Sequence, residues 1–369
     1  MKLNSLLKSS AIVGGTLFVI ALMALGAESL IRYRQAHKYG GIHTVEDMYT
    51  TDPALNLRIP RPGLVTGTVR IDSRGFRNDE LIYPKPESLI RIAYLGASTT
   101  FCAEVSSNEK AWPHLATELL RKHFSNAALD YVNAAVPGYI LETSERRLRS
   151  QVAQLKPDVI VIYHATNDLS GEMRDIAERQ GIYKKGDIEE SWLAKRSLLW
   201  NLVEKNLRII NSQNQAKAGK TSLAFDPDKI GEGFAKNLAS LIRVAKKTAP
   251  VVAIPTFSIR IRAEQSSDEK ITAAASSLYY MPFMTPDGLI QAFRRYNDII
   301  RRVAAENDVV LVEAAEKIPA DGDHFNDTVH FKDAGSAVMA NLVGIALTQS
   351  SRFQALVDAK SKTQGRRTE

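Results

Sequence analysis

The chain has 369 residues, 44% hydrophobic and 24% charged, which excludes a disordered or collagen-like polymer and leaves a globular protein with a full-sized core. The formal net charge is +7. Its basic residues are scattered or crowd the ends (Arg32, Arg34, Lys38; Lys360, Lys362, Arg366, Arg367), with no aromatic-studded basic stripe, so nucleic-acid binding is not expected. The single cysteine, Cys102, rules out an intrachain disulfide or a cysteine metal cluster, and the dispersed histidines form no metal-ligand pattern, so neither metal nor cofactor is expected.

In chain order, a short basic segment (1–10) with Lys2 and Lys8 precedes an uncharged apolar run over 11–27. This layout reads as a signal peptide or a single transmembrane signal anchor, and either one exports the rest of the chain. The uncleaved anchor is the preferred reading, although Arg32, Arg34 and Lys38 just after the run weaken the orientation signal, and Ala24-Leu25-Gly26-Ala27 offers a cleavage site. The expected location is membrane-anchored with the main domain extracytoplasmic, at the periplasm or cell surface, or secreted if the segment is removed.

Residues 28–88 are polar and turn-rich. Val65, Val69 and Ile71, with Gly75-Phe76, suggest a short hairpin in a lead-in with no core of its own. Apolar β-rich runs follow over 89–99, 129–139, 157–168, 250–257 and 308–315, separated by helical patterns. Five such strands alternating with amphipathic helices predict an α/β fold: a doubly wound, flavodoxin-like parallel sheet covered on both faces, three layers in all. One domain over 89–350 is expected. A long insertion at about 169–223, containing SWLAKRSLLWNLVEKNL, has the character of a lid or substrate-binding elaboration. The tail, 351–369, is expected to be flexible.

Ligands of open parallel sheets collect at the carboxyl ends of the strands. The first strand ends at Gly96-Ala97-Ser98, where a serine before a helix exposes its hydroxyl and sets its N–H at a helix start. Taken alone, Ser98 is as readily an N-cap. Gly138 can bring a backbone N–H close to a reacting carbonyl or simply make a turn after Pro137, and Asn167 can aim its amide at the same oxygen or cap a helix. Near the C-terminus, Asp327 and His330 have the spacing that lets a carboxylate meet Nδ1–H while Nε2 faces a serine hydroxyl; a surface His-Asp pair is the alternative. His330 is preferred over His324. His164, Cys102, Trp112 and Trp192 are expected to pack rather than react, and no Gly-rich phosphate loop follows the first strand.

Together, Gly96-Ala97-Ser98-Thr99-Thr100, Gly138, Asn167-Asp168 and Asp327-x-x-His330 resemble the four ordered blocks of the SGNH/GDSL hydrolase family, over roughly 91–347. The stretch RIDSRGFRNDE resembles the lead-in of its bacterial extracytoplasmic members. Where that family usually has Gly-Asp-Ser, this chain has Gly96-Ala97-Ser98, which sets it apart from the best-known lipase and thioesterase branches. The resemblance implies Ser98 as nucleophile, His330 as base, Asp327 as its orienter, and Ser98 N–H, Gly138 N–H and the Asn167 side chain as oxyanion hole. The expected function is ester hydrolysis by a serine esterase, with a carbohydrate O-acetylesterase as the specific form and an acylated small molecule or polysaccharide as substrate. An O-acyltransferase on envelope polysaccharide, a membrane-associated lipid hydrolase and a non-catalytic carbohydrate-binding protein are the alternatives.

Overall fold

A computed structural model describes residues 2–39, 45–184, 186, 191–218 and 223–365; the expected basic pair Arg366-Arg367, Lys185 and parts of the insertion lie outside the described residues. Helix α1 (Lys2–Tyr39) contains a stretch, Ile12–Ala36, long and apolar enough to cross a membrane, with none of it buried in the protein. A hairpin of β1 (Tyr49–Asp52) and β2 (Leu57–Pro60) follows, its turn nucleated by Asp52 Oδ1, which accepts from the amides of Ala54 and Leu55.

The main body then alternates strand and helix: β3 (Ile90–Gly96), α2 (Ser98–Phe101), α3 (Trp112–His123), β4 (Leu129–Asn133), α4 (Leu141–Arg147), β5 (Val159–Tyr163), α5 (Thr166–Arg179), α6 (Leu198–Lys217), α7 (Glu232–Thr248), β6 (Val251–Pro255), α8 (Ser267–Ala273), α9 (Ala275–Tyr280), α10 (Pro286–Glu306), β7 (Val310–Val312), α11 (Asp333–Gln349) and α12 (Ser351–Gly365). Five strands form one all-parallel sheet in the order β4-β3-β5-β6-β7, the doubly wound arrangement expected. Both faces are covered, by α3 and α11 on one side and α4, α7 and α10 on the other. That is why β3 and β5 bury every side chain and read as unbroken apolar runs rather than alternating ones. The covering helices bury single stripes, for example Phe234, Leu238, Leu241, Ile242 and Ala245 of α7, at the three- and four-residue spacing of one helix face.

Three expectations are corrected. The lead-in is not coreless: Met48, Tyr49, Val69 and Ile71 pack with Phe101, Val136 and Tyr139 in a second apolar cluster beneath the sheet's carboxyl edge. The hairpin expected around Val65 is reduced to one bridge, Val65 to Arg70, closed by Thr66, while the true hairpin lies earlier at β1–β2. The tail expected to be flexible is helical as far as Gly365, because Phe353 and Val357 are buried and Phe353 stacks edgewise on Phe124.

Candidate active site

The parallel register brings the first three strand ends side by side. Gly96 pairs with Tyr163 across β3–β5, and the Val136 amide donates to the Gly96 carbonyl beyond β4. Gly96 must be small, because a Cβ there would stand 2.0 Å from Thr100 Oγ1 and 2.9 Å from the Tyr163 carbonyl. Only a glycine lets the chain turn tightly enough to place Ser98 at the start of α2.

The far end of α2 is held from below by the lead-in. Arg77, 1% exposed, donates from Nη1 to the carbonyls of Phe101 and Cys102 and from Nε to Asn108 Oδ1 at 3.0 Å. Asn133 Nδ2 donates to the Thr100 carbonyl at 3.0 Å, its own amide donates to Asn78 Oδ1, and Asn78 Nδ2 donates to Asp72 Oδ2 at 3.0 Å. A buried arginine is costly unless its donors are satisfied, and these carbonyls are the ones a helix leaves unpaired at its C-terminus. RIDSRGFRN is thus a bracket for the Ser98 helix. Sequence reasoning singled the stretch out but assigned Arg77, Asn78 and Asn133 no part in the site; the signal was the density of arginine, asparagine and aspartate beside Gly75-Phe76.

After β7 the chain makes a narrow loop closed by a bridge between Phe325 and Phe331 and by the Asn326 amide donating to the His330 carbonyl at 2.8 Å. This loop turns His330 toward Ser98. His330 Nε2 lies 2.8 Å from Ser98 Oγ, and His330 Nδ1 lies 2.8 Å from Asp327 Oδ2. Asp327 Oδ1 accepts from the amides of Val329 and His330 at 2.9 and 3.0 Å. With Nδ1–H given to the carboxylate, Nε2 is left as a hydrogen-bond acceptor facing Ser98 Oγ. Burial pushes the Asp327 carboxyl up, but the hydrogen bond and charge of His330 and the two amides outweigh it and hold the group below its ordinary range. Burial likewise pulls His330 down, and its bond to Asp327 more than reverses this, leaving its pKa above the ordinary histidine value.

The sequence contains a second Asp-x-x-His, and it is a different object. His324 Nδ1 pairs with Asp321 Oδ1 at 2.8 Å on the surface, while the His324 carbonyl sits against Gly335, where a Cβ would stand 2.2 Å away. Of the two histidines, His330 is the one within hydrogen-bond distance of Ser98.

Gly138 has φ +88°, a conformation that favours glycine, and nothing lies within 4 Å of where its Cβ would be. The next carbonyl, of Tyr139, accepts from Asn167 Nδ2 at 2.9 Å, which ties the second strand corner to the third. Beyond Asn167 opens a cavity of about 370 Å³ lined by Asp168, Glu172, Phe234 and Tyr296 among others. Asp168 Oδ1 accepts from the Leu141 amide, while its buried Oδ2 has no hydrogen-bond partner, and burial pushes the carboxyl up to about 7.

The remaining expectations divide. His164 is buried, with Nε2 2.8 Å from Ser144 Oγ, and burial pulls it down to about 3. Cys102 is buried, its thiol pushed up to about 11 mainly by desolvation, so it packs. Trp112 is fully buried with Nε1 donating to the Thr99 carbonyl. Trp192 was expected to pack and does not: it is 64% exposed, with the Arg196 guanidinium over its ring. Among the described residues no group of acidic, histidine or cysteine side chains is arranged to hold a metal ion.

No curated protein matches this chain. Solved structures similar to it include Axe2, an acetylxylan esterase from Geobacillus stearothermophilus, at 13% identity over 70% of this chain and 93% of that chain, TM-score 0.44. Another is LAE5, an alpha/beta hydrolase enzyme from the metagenome of Lake Arreo, Spain, at 16% identity over 70% of this chain and 94% of that chain, TM-score 0.43. The sequence pattern of the GDSL-like lipase/acylhydrolase family matches residues 94–338. The chain belongs to the GDSL-like lipase/acylhydrolase family and is a serine esterase, an enzyme of ester-bond hydrolysis.

Proposed function

We propose that Ser98 is the nucleophile of a double-displacement ester hydrolysis carried out by one catalytic domain over 89–350. The observation that carries this is the continuous chain from Ser98 Oγ to His330 Nε2 and from His330 Nδ1 to Asp327, each link 2.8 Å. Ser98 Oγ attacks the ester carbonyl as His330 Nε2 takes its proton, and Asp327 steadies the imidazolium. The Ser98 and Gly138 amides and the Asn167 side-chain amide hold the tetrahedral oxyanion; Asn167 Nδ2 has one hydrogen on Tyr139 and a second for this purpose. His330 then protonates the leaving alkoxide. Water, deprotonated by the same Nε2, resolves the acyl-enzyme and frees the acid.

The substrate class we assign is an O-acylated carbohydrate, with acetyl as the acyl group, outside the cytoplasm. The apolar, unburied Ile12–Ala36 stretch of α1 supports an uncleaved membrane anchor. Hydrolysis of p-nitrophenyl acetate by the chain in detergent, with Ser98→Ala and His330→Ala beside it, tests the assignment. Activity lost in both variants upholds it. A folded wild type as inert as Ser98→Ala toward this ester, yet active once an oligosaccharide acceptor is added, replaces hydrolysis by acyl transfer.

A further inference from the structure

Helix α6 is amphipathic in the reverse sense. Its Trp200, Val203, Leu207 and Ile210, spaced three and four apart on one face, are 43%, 37%, 60% and 52% exposed, while Ser212 on the opposite side is buried and Arg208, one turn before it, is half-buried. An ordinary surface helix does the opposite. A contiguous apolar stripe of this kind on a soluble body marks a contact surface.

Its occupant is indicated by what holds the helix. Glu28 is the first charged residue after the apolar run of α1, and its carboxylate caps α6, accepting from the amides of Leu198 and Leu199 at 3.1 and 2.8 Å and from Ser197 Oγ at 2.9 Å. Arg32 Nη2 donates to the Arg196 carbonyl beside it. The end of the apolar run over 11–27 and the start of the apolar stripe are therefore one rigid joint. Around that joint stand Tyr33, Trp192 and Trp200 with Arg32, Arg34, Lys195 and Arg196 exposed, the aromatic and cationic composition of a headgroup layer.

We propose that the Trp200–Val203–Leu207–Ile210 face of α6 seats in the headgroup–acyl boundary of the bilayer that α1 crosses, so that the protein holds its membrane by a span and a surface helix joined through Glu28. The proposal rests on the reading of α1 as an anchor. A helix lying this way buries its apolar face several ångströms below the headgroups. It also carries the esterase with it: α6 packs on α9, and the Ser276 hydroxyl, next to the first residue of α9, donates to Thr328 Oγ1 at 2.9 Å, one residue from Asp327.

The test uses the full chain in vesicles of three parts phosphatidylcholine to one part phosphatidylglycerol, with and without bromine on the acyl chains. Flotation reports the anchor, and indole quenching reports the stripe. Of the three tryptophans Trp112 is in the core, so brominated lipid is expected to remove roughly half the emission, through Trp192 and Trp200. Leu207→Glu with Ile210→Glu is expected to lower that quenching about twofold or more while p-nitrophenyl acetate hydrolysis stays unchanged. Ser98→Ala is expected to quench like the wild type, which separates this result from the catalytic assignment. A chain that fails to float overturns the anchor and the proposal together. One that floats with Trp200 unquenched by bromine overturns the proposal alone, and if Trp200 is then also shielded from acrylamide, the stripe is covered by a second copy of the chain or another protein.

Discussion

Strand β3 hides all seven of its residues and the arginine beneath it is paired to carbonyls, whereas α6 turns Leu207 and Ile210 outward and keeps Arg208 and Ser212 on its inner side. The two regions follow the same physics in different surroundings. Around α2 the buried carbonyls are met by side-chain donors of Arg77 and Asn133, so position is set by a web of fixed hydrogen bonds. On α6, the cost of exposed apolar area is removed when an apolar medium or partner covers it. A side chain's direction therefore reports its surroundings as well as its fold, and substitutions in the two regions separate accordingly.

The largest effect belongs to the sheet edge. Ser98→Ala and His330→Ala are each expected to lower kcat/KM on p-nitrophenyl acetate by about four orders of magnitude, with the thermal unfolding midpoint nearly unmoved in Ser98→Ala and lowered in His330→Ala, which leaves the Asp327 carboxylate without its partner. Asp327→Asn is expected to cost about a thousandfold. It also moves the pH–rate curve toward acid, since His330 loses the partner that raises its pKa. In the wild type the rate rises as pH passes upward through the elevated His330 value, because only the neutral imidazole accepts the serine proton. The sign for stability is opposite. His330 contributes fully below its unfolded pKa, and that contribution fades as pH rises through the folded one, while Asp327 contributes above the ordinary carboxylate range and loses its share as pH falls through its lowered value.

Arg77→Met isolates the bracket from the chemistry. It leaves the Phe101 and Cys102 carbonyls without their donor, and a destabilisation of about 3 kcal/mol by urea titration is expected, with activity falling as α2 loosens. Leu207→Glu, by contrast, should move stability in detergent by no more than about 0.5 kcal/mol. Equal losses from the two substitutions would erase the distinction between the regions. An effect between these two is expected at Gly138→Ala, where no neighbour lies within 4 Å but φ is +88°; backbone strain of about 1 kcal/mol is expected, together with a several-fold drop in kcat and little change in KM.

The five strands were legible because burial on both faces leaves continuous apolar runs, as in IRIAYLG and VIVIY. Asp327 and His330 were legible as a pair of fitting types just before a helical pattern, but the sequence also offers Asp321 and His324 at identical spacing, and it is the fold that puts the one pair on the surface and the other against Ser98. Arg77 was opaque because its partners are main-chain carbonyls at Phe101 and Cys102, and carbonyls carry no residue signature. The helix at Ser351–Gly365 was missed because its buried anchors, Phe353 and Val357, stand among charged residues whose composition reads as tail. Helix α6 was recognised as amphipathic, yet periodicity alone does not say which face turns inward.

Ser98 and His330 meet across 232 residues of chain. A polypeptide emerging from its amino end exposes the serine first and acquires the histidine only 232 residues later. The loop of Phe325–Phe331 cannot settle until α11 has docked on α3, far apart in sequence, and contacts of such long range form late because ring closure is entropically costly. Ester cleavage is therefore a reporter of the final step of maturation. In a refolding time course its recovery should track the slowest phase, after helix content has already returned, and a chain caught part-way would be folded in outline yet silent.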